Sequence, residues 1–276
     1  MSSTVFHLDH RSVARITGEE AIGFLNRVLT CRLDDLTPDN GRFGALLTPQ
    51  GKILSDLFVY RTDDALFMDL PEEVAPDIIK RLTLLKLRAK AQFELDENLT
   101  VLQSSNPPEI ETEASFADSR TSNSVYRSVI TKAALNDTVP TAKGHADYES
   151  IRIESLLPEF GSDYKASEVF PSDINLDLQS GVDYKKGCFI GQEVVSRMKR
   201  KTEVRKRTCL VKSETPFSDT PEPVMAGEST IGEITSHSGK LALSRVRLDR
   251  LLTAADKNVP VTVSGNSVSI ELPEQR

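Results

Sequence analysis

The sequence lacks tryptophan and contains only three cysteines and four histidines among 276 residues. The cysteines, Cys31, Cys188 and Cys209, are odd in number and widely spaced, and they form no C-x-x-C pair. This usage argues against a disulfide framework and against a zinc site built from neighbouring residues, and it fits a reducing compartment. The histidines are scattered along the chain and indicate no metal site.

Other absences restrict the class of protein. No stretch of about 18 apolar residues occurs, so we expect no membrane-spanning segment. The first ten residues show neither the apolar run of a secretory signal nor the arginine-rich pattern of a transit peptide, which predicts a cytoplasmic protein. The P-loop, the dinucleotide-binding glycine pattern and G-x-S-x-G are also missing. A formal net charge of -7 disfavours nucleic acid or a membrane as a partner and leaves only local anion sites.

The apolar pattern predicts an α+β region in the first two thirds of the chain. A helix is predicted from Thr17, which would cap it, to about Thr30, and residues 42–48 and 52–60 predict a hairpin. The other predicted elements are a strand at 65–70, a helix from Pro71, strands at 89–95, 99–103 and 125–130, and a helix from His145 that Pro158 ends. This order is typical of helices packed on largely antiparallel sheets.

The last third of the chain has a different pattern. A short helix is predicted at 192–200, and after it come short β segments at 208–212, 229–236, 240–246, 259–263 and 267–272, with a helical segment at 249–257. Several short strands with turn residues between them predict a small barrel or sandwich. We therefore predict two domains, residues 1–201 and residues 202–276.

The densest group of reactive and conformationally special residues is Lys185-Lys186-Gly187-Cys188-Phe189-Ile190-Gly191-Gln192-Glu193. Gly187 and Gly191 flank the cysteine and permit a loop that presents its thiol. With two lysines beside it and a helix beginning near Gln192, such a loop would favour the thiolate. A cysteine next to apolar residues is also typical of a small core residue, and the residues alone leave both interpretations open.

Charged side chains elsewhere offer further candidates. A basic run follows the central stretch, and it forms either a solvated face or a site for a polyanionic ligand. Its members are Arg197, Lys199, Arg200, Lys201, Arg205, Lys206 and Arg207. Asp56 on the second hairpin strand and Glu154 near the end of the His145 helix are either surface carboxylates or pocket residues that would accept hydrogen bonds from an amino-pyrimidine-type ring.

Residues 186–193 match the motif K-G-C-[FY]-x-G-Q-E, and the chain thereby resembles the YgfZ family of folate-binding proteins, relatives of the aminomethyltransferase (T-protein) of the glycine cleavage system. Residues 47–57, LTPQGKILSDL, resemble the T-protein hairpin. Arg152-Ile153-Glu154 with Pro158, Gly161 and Asp163 resembles its L-R-L-E-A-G-L-P-x-Y-G-x-D segment, and residues 232–236 resemble the opening of its C-terminal barrel.

The resemblance implies a T-protein-like, three-lobed arrangement, in which two interleaved α+β lobes with antiparallel sheets and a C-terminal β-barrel close around a folate pocket. It implies tetrahydrofolate or a derivative as the cofactor, with Glu154 at the place that holds the pterin and Lys185 or Lys186 near the folate. The candidate cofactor-binding residues are therefore Glu154, Lys185, Lys186, Gly187, Gly191, Gln192 and Glu193.

Members of the family are linked to assembly or maintenance of iron-sulfur clusters in certain enzymes, including a tRNA methylthiolation enzyme, and the resemblance makes Cys188 the candidate functional thiol. The T-protein carries Asp-Asp, one of them catalytic, where this chain has Ser55-Asp56, and it lacks the cysteine motif. These departures favour a folate-binding accessory protein whose partners are iron-sulfur enzymes. The alternatives are a folate-dependent one-carbon transferase, for which Asp56 would be catalytic, and a non-catalytic scaffold for cluster enzymes.

Overall fold

The computed structural model describes residues 4–38, 40–63, 65–118, 120–121, 125–138, 145–201, 204–218 and 221–274. The chain divides into two compact units. Unit 1 comprises Met1–Gly144 and Gln179–Gln192, and unit 2 comprises His145–Leu178 and Glu193–Arg276. The chain thus leaves unit 1, returns to it for the short stretch that contains Cys188, and then completes unit 2.

Unit 1 combines nine strands and three helices among its described residues. The strands are β1 (Val5–His7), β2 (Arg11–Thr17), β3 (Asn40–Leu47), β4 (Ile53–Arg61), β5 (Leu66–Pro71), β6 (Gln92–Leu95), β7 (Leu99–Ser104), β8 (Ala114–Ala117) and β9 (Tyr126–Thr131), and the helices are α1 (Ala21–Val28), α2 (Ala75–Leu85) and α3 (Lys132–Thr138). One antiparallel sheet has the order β3-β4-β5-β2-β6, and a second has the order β1-β7-β9-β8.

The core of unit 1 lies between the five-stranded sheet and its helices. Helix α1 buries Ala21, Phe24, Leu25 and Val28, whose spacing of three and four residues places them on one face. They join a hydrophobic cluster that includes side chains of β2, β4, β5 and α2. Burial of this apolar face therefore sets the position of the helix on the sheet.

The predicted hairpin is confirmed. Strands β3 and β4 pair antiparallel, and two hydrogen bonds close the turn: Thr48 N–H donates to Lys52 O (2.8 Å) and Gly51 N–H donates to Thr48 O (2.9 Å). The predicted cap at Thr17 is wrong, because Thr17 is the last residue of β2 and helix α1 begins at Ala21, after Glu20. The apolar pattern also fails to predict β1 and β2.

Unit 2 is built around a closed barrel. Its strands are β10 (Lys206–Ser213), β11 (Glu222–Ala226), β12 (Ser229–Ser238), β13 (Leu241–Arg247), β14 (Val261–Val263) and β15 (Asn266–Glu271), and the helices that follow Gly144 are α4 (His145–Glu154), α5 (Gln192–Lys201) and α6 (Leu248–Asp256). The barrel order is β10-β13-β12-β11-β14-β15, with every pair antiparallel. The predicted C-terminal barrel is confirmed.

Two details of unit 2 differ from the predictions. Helix α4 ends at Glu154 rather than at Pro158, because Leu156 already adopts a left-handed φ of 58°. Strand β11 at Glu222–Ala226, which contains Pro223, lies between the predicted β segments at 208–212 and 229–236, where the pattern predicts no strand. The start of α5 at Gln192 is confirmed.

The predicted domain boundary at residue 202 lies outside the described residues, and the division into 1–201 and 202–276 stays a prediction. Residues 145–178 group with the barrel in unit 2. Over the described ranges, none of the helices combines the length and apolar character needed to cross a membrane.

Candidate functional site

Residues 183–191 form a loop, here called the Cys188 loop, that ends where α5 begins. Gly187 and Cys188 are exposed at its centre, whereas Lys186 and Phe189 on either side are each only 6% exposed. Cys188 is therefore not a core residue, and the interpretation as a buried small hydrophobe is wrong. Its two buried neighbours show that the loop is anchored on both sides of the thiol.

Asp183 provides the first anchor. Its Oδ1 accepts the backbone N–H groups of Lys185 (2.7 Å) and Lys186 (3.1 Å), and its Oδ2 accepts Nε–H of Arg32 (2.6 Å). Partial burial raises the pKa of this carboxyl, but the hydrogen bonds from Lys185, Arg32 and Lys186 outweigh it and hold the pKa below its usual range. The carboxylate thus fixes the turn that leads to Cys188.

Thr30 fastens the beginning of the same segment. Its hydroxyl donates to Gly181 O (2.6 Å) and accepts the N–H of Ala45 (2.8 Å), and its carbonyl accepts the N–H of Asp183 (2.9 Å). A residue just after α1 therefore connects strand β3 to the start of the Cys188 loop. Asp183 and Thr30 are site residues that the sequence reasoning missed, although an aspartate just before a turn is typical of an Asx turn.

Lys186 provides the second anchor. Its buried ammonium donates to the carbonyls of Leu29 (2.7 Å) and Cys31 (2.5 Å) and lies 5.5 Å from the ring centre of Phe189. Burial lowers the pKa of this ammonium. The carbonyls lie just beyond the end of α1, so the lysine satisfies backbone acceptors that the helix leaves open.

Gly191 provides the third anchor and joins the two motif stretches of unit 1. Its φ is +79°, and a Cβ at this position would lie 2.7 Å from Thr48 O and 3.0 Å from the Cα of Gly51. The end of the Cys188 loop thus packs directly on the turn between β3 and β4. Gly187 differs, because an added Cβ there would meet nothing within 4 Å.

The other two thiols are chemically unlike Cys188. Cys31 and Cys209 are buried, and burial raises the pKa of Cys31 to about 11 and that of Cys209 to about 12. Thiolate is the form that binds metals and acts as a nucleophile. The exposed Cys188 is therefore the thiol with access to a partner.

The described residues contain no group of three or more histidine, cysteine or acidic side chains that could hold a metal ion. Iron-sulfur clusters are usually held by four cysteine thiolates.

Asp56 lies in β4 as predicted, but it is not a surface carboxylate. It is 4% exposed, and its Oδ1 accepts Nη1–H of Arg11 at 2.7 Å. Arg11 also pairs with Asp69, whose other oxygen accepts hydrogen bonds from Tyr60 and Arg127. Asp56 is thus part of a buried charge network in unit 1, which does not favour it as a free catalytic base.

Glu154 lies exposed at the end of α4, in unit 2. Arg152, two residues before it, is 1% exposed and uses all five of its N–H groups. The acceptors are both carboxylate oxygens of Glu149, Oδ2 of Asp163, Leu157 O and the hydroxyl of Ser236. We call these residues the Arg152 network. It gives the motif that begins at Arg152 and includes Asp163 a structural role in unit 2.

Asp163 completes the Arg152 network. It is 4% exposed; its Oδ2 also accepts the N–H of Glu159 (2.9 Å), and its Oδ1 accepts the hydroxyl of Ser236 (2.7 Å) and that of Thr235. The network therefore ties the segment after α4 to strand β12 of the barrel. Glu154 is left at its edge as an exposed carboxylate.

The basic run divides into two parts. Arg197, Lys199 and Arg200 are exposed on α5, whereas Arg207 forms a two-bond ion pair with Asp177 (2.7 and 2.9 Å). The side chain of Lys201 lies outside the described residues. The solvated-face interpretation fits α5, and Arg207 is a structural ion pair.

Two cavities lie within unit 1. One of about 480 Å³ is bordered by His7, Thr100 and Lys132, and burial lowers the pKa of His7, whose Nε2 lies 2.9 Å from the hydroxyl of Thr100. The second, of about 560 Å³, is bordered by Arg15 and Glu113 among others. Neither is lined by a candidate folate-binding residue, so these candidates stay predictions.

Comparison with known proteins finds relatives that are named as iron-sulfur cluster assembly factors. Residues 205–275 match the family model described as CAF17, C-terminal beta-barrel domain. The chain is 27% identical over 268 residues to the iron-sulfur cluster assembly factor IBA57 homolog, mitochondrial, of Mycosarcoma maydis, covering 90% of this chain and 65% of that protein. It is 27% identical to mouse IBA57 over 242 residues, covering 78% of this chain and 67% of the mouse protein.

The chain is shorter than these fungal relatives: it spans 65%, 59% and 54% of the proteins from Mycosarcoma maydis, Coccidioides immitis and Chaetomium globosum. All three are named mitochondrial. The prediction of a cytoplasmic location is therefore wrong, because these names point to mitochondria. Low cysteine usage indicates a reducing environment but does not identify the compartment.

The crystal structure of glycine cleavage system aminomethyltransferase T from Bartonella henselae superimposes with a TM-score of 0.76, covering 99% of this chain and 87% of that one at 18% identity. The fold is therefore the T-protein fold, mixed α+β with antiparallel sheets and a closed six-stranded C-terminal barrel. The predicted fold class is confirmed. The relation to the YgfZ family fits these results, although the relatives carry the name IBA57.

Proposed function

We propose that this chain acts in the assembly or repair of iron-sulfur clusters in client enzymes, with Cys188 as the functional thiol. The observation that carries the proposal is the exposed thiol at the centre of a loop anchored by Asp183, Lys186 and Gly191. The similarity to IBA57 assembly factors supports the same role. Among the clients we include enzymes that modify tRNA, which the family resemblance implies.

The geometry suggests how Cys188 takes part. An exposed cysteine in the loop before α5 can donate a sulfur electron pair to an iron of the cluster, and the proton of its thiol then passes to solvent. Each cluster iron needs several ligands, and the other two thiols of this chain, Cys31 and Cys209, are buried. The remaining ligands therefore come from the protein that delivers or receives the cluster, and release requires only that the partner's thiolate replace Cys188.

Complementation tests this role. In cells depleted of mouse IBA57, we express this chain directed to mitochondria and measure the activity of iron-sulfur enzymes. The wild type and Gly187→Ala should restore activity, since a Cβ at position 187 meets nothing within 4 Å. Cys188→Ala should fail to restore it. Full restoration by Cys188→Ala would contradict the role of the thiol and favour the scaffold alternative.

We also propose that tetrahydrofolate or a derivative is a ligand of this chain. Glu154 is exposed and offers the two acceptor oxygens that an amino-pyrimidine ring needs. Of the two candidate lysines, Lys185 is exposed, whereas the Lys186 ammonium already donates to two carbonyls. Lys185 is therefore the better candidate for an anionic part of the ligand.

Calorimetric titration with tetrahydrofolate tests this proposal. Glu154→Ala should weaken binding about tenfold or more, which corresponds to about 1.4 kcal/mol. Asp147→Ala, at an exposed carboxylate on the same helix, is the matched control and should bind as the wild type does. If the wild type binds no tetrahydrofolate, the ligand is withdrawn, while the role of Cys188 stands on its own test.

A further inference from the structure

Three leucines project from unit 1 where helix α2 ends. Leu84, Leu85 and Leu87 are 69%, 39% and 83% exposed, and they make up half of the large apolar residues exposed in the described part of the chain. Helix α2 buries Ala75, Ile78 and Leu82, and Leu84 lies on its opposite face, whereas Leu85 lies beside the buried face. The hydrophobic cluster that contains Ile78 and Leu82 includes none of the three leucines.

The turn after α2 displays Leu87 in a fixed way. Ala89 N–H donates to Lys86 O (2.8 Å), and Leu87 between them has a φ of +49°, which is uncommon for a residue with a side chain. The turn is held at its far end, where Lys90 N–H donates to Oε2 of Glu20 (2.8 Å) and Lys90 O accepts the N–H of Glu20 (3.1 Å). The exposure of Leu87 is thus imposed by hydrogen bonds rather than by a frayed helix end.

The position of Gly18 shows that the turn after α2 and the segment before α1 are in close contact. Its φ is +106°, and a Cβ there would lie 2.1 Å from Lys90 O. The segment before α1 and the turn after α2 therefore touch through their backbones, with no space for a side chain. This packing keeps the turn, and Leu87 with it, in one place on the surface.

The charge around the leucines is of one sign. Residues 80–90 contain Lys80, Arg81, Lys86, Arg88 and Lys90 and no carboxylate, in a chain whose formal net charge is -7. Lys90 pairs with Glu19 at 2.6 Å. Within the described ranges, none of the other four cations forms an ion pair. We call the three leucines and five cations the leucine tip.

We propose that the leucine tip docks on the surface of a lipid bilayer that contains anionic phospholipid. Exposed leucines among lysines and arginines are the composition that binds at a membrane interface, where leucine enters the acyl boundary and the cations lie over the headgroups. The leucines project from the surface, and neither cavity of unit 1 is lined by them. A projecting tip suits a lipid surface, whereas an acidic protein partner would need a groove that receives the leucines.

Vesicle flotation of the full chain tests this inference. With phosphatidylcholine vesicles that contain phosphatidylserine, the wild type should float with the lipid, and the bound fraction should fall as salt is added. With vesicles of phosphatidylcholine alone, the wild-type protein should not float and should remain at the bottom of the gradient. The double variant Leu84→Ser/Leu87→Ser should lower partitioning about tenfold or more.

Two further variants make the result specific. Arg81→Gln/Arg88→Gln should reduce binding to anionic vesicles and keep the leucines, whereas Leu252→Ser, at a leucine 63% exposed on α6, should bind as the wild type does. All changes are at exposed positions, and circular dichroism checks the fold. Failure of the wild type to float with anionic vesicles would overturn the proposal and favour an acidic protein partner, and equal binding by the double leucine variant would also overturn it.

Discussion

The Arg152 network and the Cys188 loop both contain buried charged residues, but they use them differently. In the Arg152 network, the guanidinium and the carboxylates of Glu149 and Asp163 satisfy one another. In the Cys188 loop, the charges of Asp183 and Lys186 are directed at backbone groups. The first arrangement joins a segment to the barrel mainly through pairs of opposite charge, and the second fixes a turn mainly through hydrogen bonds between charged side chains and the backbone.

This difference separates a structural motif from a functional one. Every N–H of Arg152 has an acceptor within the protein, so nothing of that side chain remains for a ligand. In the Cys188 loop the anchored residues lie on both sides of Gly187 and Cys188, which are both exposed. A motif residue whose hydrogen bonds are all made within its own chain, such as Arg152, indicates a role in stability. An exposed thiol in an anchored loop, such as Cys188, indicates a role in binding a partner.

The largest expected effect comes from breaking the Arg152 network. Arg152→Met leaves the buried carboxylate of Asp163 without its cation, and we expect the free energy of unfolding to fall by about 3–5 kcal/mol. Urea unfolding followed by circular dichroism measures the change. Arg197→Met, at an exposed position of α5, is the control and should shift stability by less than about 0.5 kcal/mol. Equal losses in the free energy of unfolding of the two variants would contradict the structural role of Arg152.

A smaller effect is expected where the Cys188 loop meets the hairpin turn. In Gly191→Ala, the backbone is left-handed and the new Cβ would lie 2.7 Å from Thr48 O. We therefore expect the free energy of unfolding to fall by about 2–4 kcal/mol. Gly187→Ala meets nothing within 4 Å and should be close to neutral. Urea unfolding measures stability, and the rate of Cys188 modification by a thiol reagent reports on the loop. Equal rates in both variants would show that Gly191 does not position the thiol.

The two neighbouring lysines provide the next comparison. Lys186→Met keeps the length of the side chain but removes the donor to Leu29 O and Cys31 O, and it should cost about 2 kcal/mol. Lys185→Met, at an exposed position, should change stability by less than about 0.5 kcal/mol. The reverse order in urea unfolding would contradict the anchoring role of Lys186.

Much of the fold could be predicted because apolar periodicity and turn residues are local. The β3–β4 hairpin follows from two apolar runs around Pro49-Gln50-Gly51, and the barrel follows from short strands separated by turns. Strand β2 could not be predicted in this way, because its sequence RSVARIT has only three apolar residues without regular alternation, and its pairing with β5 and β6 is distant in sequence. Thr17 therefore appears as a helix cap although it ends a strand.

The candidate site could be predicted only in part. The glycines and the helix start around Cys188 indicate an exposed thiol, since both are local signals. The anchors are not local: Lys186 reaches carbonyls more than 150 positions away in the chain, and Gly191 packs on the turn at Thr48 and Gly51, which is also distant in sequence. The burial of Asp56 likewise depends on Arg11, which lies in a strand that the pattern does not predict. Sequence patterns identify the reactive residue, and tertiary contacts decide which charges remain accessible.

The smallest expected effect concerns pH and the anchor at Asp183. Its pKa in the folded protein lies below the usual 3.8, so the unfolded chain takes up the proton first as the pH falls. The stabilisation is therefore complete above 3.8 and is lost as the pH drops from 3.8 through the lower folded value.

Nuclear magnetic resonance can follow this change at the two amides that Asp183 binds. The N–H resonances of Lys185 and Lys186 should titrate together below 3.8, because protonation of Asp183 weakens both hydrogen bonds. Asp183→Asn has no proton to take up in this range and should abolish the titration. Movement of the two amides at or above 3.8 would show that the carboxylate is not stabilised by them. The Cys188 loop would then depend on Lys186 and Gly191 alone, and its contrast with the Arg152 network would rest on the hydrogen bonds of Lys186 to the carbonyls of Leu29 and Cys31.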